Sequence, residues 1–307
     1  MKPKSTACTA EIISYGGWRN CIRLSDGRTE LVATTDVGPR VIRFGFIGGP
    51  NLLKEYPEQL GRRGGKKWRI YGGHRLWTAP EDRRRTYTPD NDPVEWTWTR
   101  NILRLRTKAD PQFGLAKELR IAYAADGSVR LDHRIRNQGK RPIALAPWTL
   151  TVMAPGGEAI FPQEPYATHP DALLPVRPLV LWAYTKMDDP RWTWGENEIR
   201  LRQDPKAKDA QKVGFFSTRG WMAYRLNRQV FIKRHACATG ATHPDMGCNV
   251  ETFTNQDMLE LETLGPLVNL KPGTHIEHSE TWGLFNAGGR TGLRTLSPLV
   301  NKVANPA

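Results

Sequence analysis

Long apolar runs are missing from this chain: none approaches the roughly 18–20 residues a helix needs to cross a bilayer, which argues against a helical membrane span. Cysteine is scarce. The four present, Cys8, Cys21, Cys237 and Cys248, form no C-x-x-C pair and stand at no zinc-finger spacing with histidine. So few thiols in 307 residues exclude a disulfide scaffold. The expectation is free thiols and a cytoplasmic protein, with a Cys237–Cys248 bridge only in an oxidising compartment. Met1–Cys8 carries charge but no apolar h-region, so no secretory signal is expected there.

Sustained 3.6-residue periodicity is also absent, and with it any helical-bundle reading. So are a G-x-S-x-G elbow, a P-loop, an H-E-x-x-H pair and the signatures of common nucleic-acid-binding modules. Gly288-Gly289-Arg290-Thr291-Gly292 falls in a polar tail and is not expected to open a helix after a strand, which argues against a dinucleotide fingerprint. Seven dispersed histidines form no metal-binding pattern. No metal and no cofactor are expected.

What is abundant is alternation. Val94, Trp96 and Trp98 alternate with Glu95, Thr97 and Thr99. Val129, Leu131, His133 and Ile135 alternate with Arg130, Asp132, Arg134 and Arg136. Asp126-Gly127 before the second run is a hairpin signal, because glycine tolerates positive φ. Further strands are predicted over 142–153, 178–184, 213–218, 221–226, 229–235, 248–254, 258–264 and 275–285. The prediction is an all-β protein with sheets packed face to face. It places one domain over 11–286 and a tail over 287–307.

Acidic side chains are outnumbered, 31 against 45 basic ones, for a formal net charge of +14. Such a charge speeds encounter with anions. Nucleic acid, an acidic glycan, a sugar phosphate and a membrane surface would all qualify, and genome composition would also explain it. With no recognition module present, nucleic acid is the least favoured partner.

Two segments carry chemistry. Tyr71-Gly72-Gly73-His74-Arg75-Leu76-Trp77-Thr78-Ala79-Pro80-Glu81 sets an imidazole, a guanidinium, an indole and a carboxylate after a glycine pair, with Arg83 and Arg84 just beyond. Glycine there permits close backbone approach. A solvated, charged loop is the alternative. In Asp257-Met258-Leu259-Glu260-Leu261-Glu262-Thr263-Leu264, a strand would place Glu260 and Glu262 on one face. Their repulsion would raise the proton affinity of one, as an acid–base group requires. Arginine pairing on a solvated face is the alternative. His278 and Glu280 share a strand face with Ile276, Trp282 and Leu284, as a core pair or a pocket wall. Trp192 and Trp194 are either a lid or packing under a loop. Eleven tryptophans, dense beside polar groups at 68–98 and 182–194, suit the faces of sugar rings.

Three passages in order resemble the aldose 1-epimerase (galactose mutarotase-like) superfamily. Glu30–Ile42 followed by Gly49-Pro50-Asn51-Leu52-Leu53 is similar to its opening hairpin. Leu131–Pro142 with Asn137-Gln138-Gly139 is similar to its central strand and turn. Leu259–Gly273, ending in Leu270-Lys271-Pro272-Gly273 before the strand with Trp282, is similar to its closing stretch. The Gly-Gly-His-Arg-Leu-Trp block is closer to a little-characterised bacterial branch than to galactose mutarotases themselves. The resemblance implies a β-supersandwich with a sugar cleft on its concave face. It implies a carbohydrate partner, neutral or anionic, and acid–base chemistry at the anomeric centre. Glu262 matches the family's base. The family's acid histidine is expected near Pro147-Trp148-Thr149, where this chain has Trp148. His74 would then supply the acid, with Arg75, Trp77, Arg83, Arg84 and Glu260 binding substrate. A lyase or hydrolase of acidic polysaccharide, and a non-catalytic glycan-binding module, remain alternatives.

Overall fold

The computed structural model describes residues 8–288 and 292–306, in which the alternating segments assemble into antiparallel sheets of 11 and 10 strands. The charged start and the middle of the 288–292 glycine segment lie outside the described residues. The fold class is all-β, as predicted. Strands Trp221–Leu226 and Gln229–His235 have the predicted limits, and Gly127 takes its turn at φ +81°. The two sheets face each other across apolar side chains from both, with Phe44, Phe231 and Trp282 in mutual edge or tilted ring contact near the middle.

Strand Ile143–Met153 lies centrally in the larger sheet, between His74–Ala79 and Leu259–Leu264. Strands Val250–Thr254 and Gln211–Phe215 follow beyond Leu259–Leu264. The glycine pair sets the start of His74–Ala79. Gly72 (φ +98°) and Gly73 (φ +69°) press so closely on the neighbouring chain that a Cβ would meet Lys54 O at 2.0 Å and Val41 O at 2.1 Å. Only glycine combines that conformation with that approach.

Residues 287–307 are more than a tail. Leu293–Val300 is a helix whose Leu296 and Val300, with Val303, pack on Trp221, Val230 and Ile232 of the smaller sheet. Gly283 makes room for this: a Cβ there would lie 2.4 Å from Val303 Cγ2. Leu293, Leu296, Val300 and Val303 stand at helical spacing, a short signal set among Gly, Pro and Asn. The glycine segment stands between strand His275–Asn286 and this helix in the sequence, and its residues 289–291 lie outside the described ones. That strand belongs to an antiparallel sheet, whereas a dinucleotide site needs a parallel βαβ unit.

Candidate functional site

Register decides which side chains meet. Leu150 lies opposite both Arg75 and Glu262, Trp148 lies opposite Trp77, and Glu262 lies opposite Glu251. These residues share the face of the larger sheet turned away from the smaller one, together with Glu260, Phe253 and Lys212. Against this face lies a cavity of about 530 Å³, walled by Trp68, Trp77, Trp148 and Trp182, with Arg75, Glu260 and Lys212 among its polar groups. Its size suits a small organic ligand.

The polar groups are buried but not mutually satisfied. Arg75 Nη2 donates to Glu260 Oε1 at 3.1 Å, and its guanidinium stacks 4.3 Å from the Trp77 ring centre. Lys212 Nζ lies 2.7 Å from Glu251 Oε2 and 3.2 Å from Glu262 Oε2, and 4.7 Å from each of the Trp148 and Trp182 rings. Trp148 Nε1 donates to Glu262 Oε2 at 2.8 Å. Arg75 Nε and Nη1, Glu251 Oε1 and Glu262 Oε1 find no hydrogen-bond partner among the described residues. Such groups cost stability, and these four atoms have no exposed surface of their own although they adjoin the cavity wall. Three carboxylates face two cations. Burial pushes Glu251 well above the ordinary carboxylate range, against the pull of Lys212 and helped by Glu262. Burial also raises Glu260, against Arg75 and again helped by Glu262. Burial opposes protonation of Lys212, but Glu262 and Glu251 outweigh it and hold the ammonium charged.

The sequence-derived site is thus partly assembled. Arg75, Trp77 and Glu260 line the cleft, and Glu262 lies behind its wall, beneath Trp148 and Lys212, with no exposed surface. His74 does not join them. It neighbours Arg75 on one strand, so its side chain points the other way, between the sheets. There it is fully buried against Thr151 and His133. His74 and Glu262 line no common hollow. Arg83 and Arg84 also miss the cleft. Both are exposed on the loop after the strand, and Arg84 borders a different cavity. Trp192 and Trp194 are not a lid. They stack at 4.9 Å, and Trp192 is packed into the core.

Sequence reasoning missed Lys212 and Glu251, whereas Trp182 opens the 182–194 stretch singled out for sugar stacking. Glu251 stands on a predicted strand, and its polar character among Val250, Thr252 and Phe253 was the available signal. That it faces Glu262 depends on register.

Behind the same strands, His278 and Glu280 lie in the core, one of the two placements the sequence left open, and meet through the Thr263 hydroxyl within a larger polar cluster. Glu280 Oε1 receives Lys233 Nζ at 2.8 Å and Thr263 Oγ1 at 2.6 Å, with Thr149 also donating to it. Glu280 Oε2 receives Trp282 Nε1 at 3.0 Å. His133 Nδ1 must donate to the His278 carbonyl oxygen at 3.0 Å, so its Nε2 accepts from His74 Nε2–H at 2.7 Å. His74 Nδ1 then accepts from the Thr151 hydroxyl, whose oxygen accepts from Lys233. The chain closes with neutral imidazoles, and burial depresses the affinity of His74 and His133 for a further proton. Donor atoms of His74, His133 and Glu280 lie within 4.8 Å of one another. Lys233 already supplies the positive charge there. The 2.7 Å His–His contact is also tighter than the roughly 3.3 Å between two ligands of a tetrahedral zinc.

No family model matches the sequence, and no curated protein does. Solved structures do match. The chain is similar to a galactose mutarotase-like protein from Lactobacillus casei ATCC 334, with 7% identity and a TM-score of 0.58, covering 87% of this chain and 100% of that one. It is similar to a candidate aldose 1-epimerase from Klebsiella pneumoniae, with 12% identity and a TM-score of 0.59, covering 95% and 85%. The fold is galactose mutarotase-like. The same fold covers 49% of a TPR-domain containing protein from Parabacteroides distasonis, with 13% identity and a TM-score of 0.56, so the chain spans about half of that protein. In this galactose mutarotase-like sandwich the polar, indole-lined hollow lies on the outer face of the larger sheet. No helix among the described residues is long and apolar enough to cross a membrane.

Proposed function

We propose that the cleft binds a neutral saccharide and exchanges a proton with its anomeric hydroxyl, in the manner of an aldose 1-epimerase. The observation that carries this reading is Glu260: a wall carboxyl with raised proton affinity, beside a guanidinium with unpartnered N–H groups, in a hollow walled by indoles. Indole faces take the C–H side of a sugar ring, and Arg75 takes its hydroxyls. Glu260 accepts the anomeric proton, the ring opens and recloses, and solvent in the open cleft balances the proton at the ring oxygen. Glu262 acts from beneath as a positioning residue, since its charge helps to hold the proton affinity of Glu260 up.

Glu81 and Glu260 line the cleft opposite Arg75 and Lys212, with Glu251 and Glu262 behind its wall, and this balance argues against an acidic polymer there and so against the lyase reading. A non-catalytic glycan-binding role is favoured by one specific contact. Trp148, at the position where the resemblance expects an acid histidine, spends its N–H on Glu262. Incubating the protein with pure α-anomers of neutral aldohexoses and following the anomer ratio by NMR separates the two. Accelerated interconversion that falls to the buffer rate in Glu260→Gln supports catalysis. Saturable sugar binding with no acceleration supports the module, and neither result for any sugar overturns the proposal.

A further inference from the structure

A second cavity, about 540 Å³, opens between the two sheets at one end of the sandwich, and what occupies the first cleft does not bear on it. Thr78 reaches it from the inward face of the larger sheet, and Leu115 and Lys117 from the smaller one. Loops over 80–92 and 107–112 roof it. Leu115, Leu119 and Ile121 share an inward face, each buried in an apolar cluster, yet the position between Leu115 and Leu119 on that face is Lys117. A lysine costs stability there unless it is paired.

Lys117 is not paired. Burial pulls its proton affinity down, and Asp90 and Asp110 only partly restore it. Asp110 is engaged elsewhere, and Asp90 through one oxygen only, its Oδ1 being buried without a hydrogen-bond partner among the described residues. Asp90 Oδ2 binds Arg40 Nη2 at 2.8 Å, and Asp110 accepts backbone N–H groups of Gln112, Phe113 and Leu115 at 2.6–3.1 Å. Four more cations, Lys66, Arg84, Arg85 and Lys108, border the cavity against one further carboxylate, Asp92. Among the described residues none of these five cations forms an ion pair; Arg85 donates only to Thr78 Oγ1 and to the carbonyls of Pro80 and Ala144.

We propose that this cavity binds a phosphorylated small molecule, with Lys117 as the half-buried contact at its floor and Lys66, Arg84, Arg85 and Lys108 at its mouth. Clustered guanidinium and ammonium donors suit the several oxygens and multiple charge of a phosphate. The cavity is large enough for an attached organic group, for which Thr78, Leu115 and Tyr87 form the wall.

Calorimetric titration of the full chain at pH 7 and low salt, with inorganic phosphate, pyrophosphate and citrate in separate runs, tests this. The expected result is saturable pyrophosphate binding, tighter than phosphate, weakened at least tenfold in Lys117→Met. That variant should melt at the same or a higher temperature, because it returns an apolar side chain to an apolar row. Should it fail to fold, the double variant Arg84→Ser/Lys108→Ser, altered only at the exposed mouth, is expected to weaken pyrophosphate at least threefold. No saturable binding of phosphate or pyrophosphate, affinity unchanged in the variants, or binding of citrate alone would each overturn the proposal.

Discussion

Two buried polar clusters lie back to back across strand Ile143–Met153. Trp148 and Leu150 point into the cleft cluster, Thr149 and Thr151 into the one between the sheets. The inner cluster is closed. One ammonium meets one carboxylate, and Thr151 with two linked histidines passes hydrogen bonds along a single consistent chain. The outer cluster is open, with one carboxylate in excess and guanidinium and carboxylate atoms without partners. Their difference lies in completion: a satisfied network specifies packing, whereas an unsatisfied one beside a cavity waits for a ligand.

The largest expected effect tests the outer cluster as the chemical one. Glu260→Gln should lower anomer interconversion by about 10²–10⁴-fold, the range for loss of a general acid–base group. His74→Gln should leave the rate per folded molecule within about threefold while lowering the melting temperature. The opposite pattern would move the chemistry to the inner cluster. Glu262→Gln should shift the acid limb of the pH–rate profile to lower pH, because removing its negative charge lowers the proton affinity of Glu260.

Next comes the closed network itself. Lys233→Met leaves Glu280 as a buried carboxylate without its cation and should cost about 3–5 kcal/mol in urea unfolding at pH 7. Lys212→Met should cost less than this. Its partner Glu251 is already displaced toward the protonated form and can neutralise itself. Equal costs would erase the distinction between the clusters.

The pH dependence of stability sharpens it further. Burial pushes His278 down to about 3 and His235 down to about 4, and His74 and His133 are lowered as well. Each has a folded-state value below its unfolded value near 6.5. Their stabilisation is therefore complete above pH 6.5 and is lost as the pH falls toward the folded values. Glu251 and Glu260 are raised and act in the opposite sense, losing stability as the pH rises above about 4.5. His243 is lowered too, so five imidazoles against two carboxyls favour net proton uptake on unfolding between pH 6.5 and 4.5, and stability should fall as the pH falls through that interval. A flat or reversed stability profile over that interval would contradict neutral imidazoles in the core.

Much of this was legible in the residues. Strand positions followed from alternation, and the pairing of Glu260 with Glu262 on one face, with the proton affinity of one raised, followed from period 2 alone. His74 was misplaced because period-2 alternation was not applied to Tyr71–Glu81. Read as a strand, the same alternation puts Arg75 and Trp77 on one face and His74 with Leu76 on the other. Lys212 and Glu251 were out of reach for a different reason. Their meeting with Glu262 depends on the pairing of three strands drawn from residues 211–264, which a single sequence does not encode locally.

The smallest effect is the most direct comparison, because the two clusters contain the same contact. Trp148 Nε1 donates to Glu262 Oε2 at 2.8 Å, and Trp282 Nε1 donates to Glu280 Oε2 at 3.0 Å. Tryptophan to phenylalanine removes one indole N–H and a similar volume in each case, so the packing losses nearly cancel between the two variants. Glu280 is held well below the usual carboxylate range, chiefly by Lys233 against its burial, so it stays charged and is left with an unpaired oxygen. Trp282→Phe should therefore carry an excess cost of about 1.5–3 kcal/mol for a lost bond to a buried charge. Glu262 keeps Lys212 at 3.2 Å, and in Trp148→Phe the space vacated by the indole adjoins the cleft, where water can replace the donor. Its excess cost should be under about 1 kcal/mol. Chemical denaturation of the two variants side by side reads the difference, and a Trp148→Phe cost equal to that of Trp282→Phe would show the outer cluster to be as sealed as the inner one.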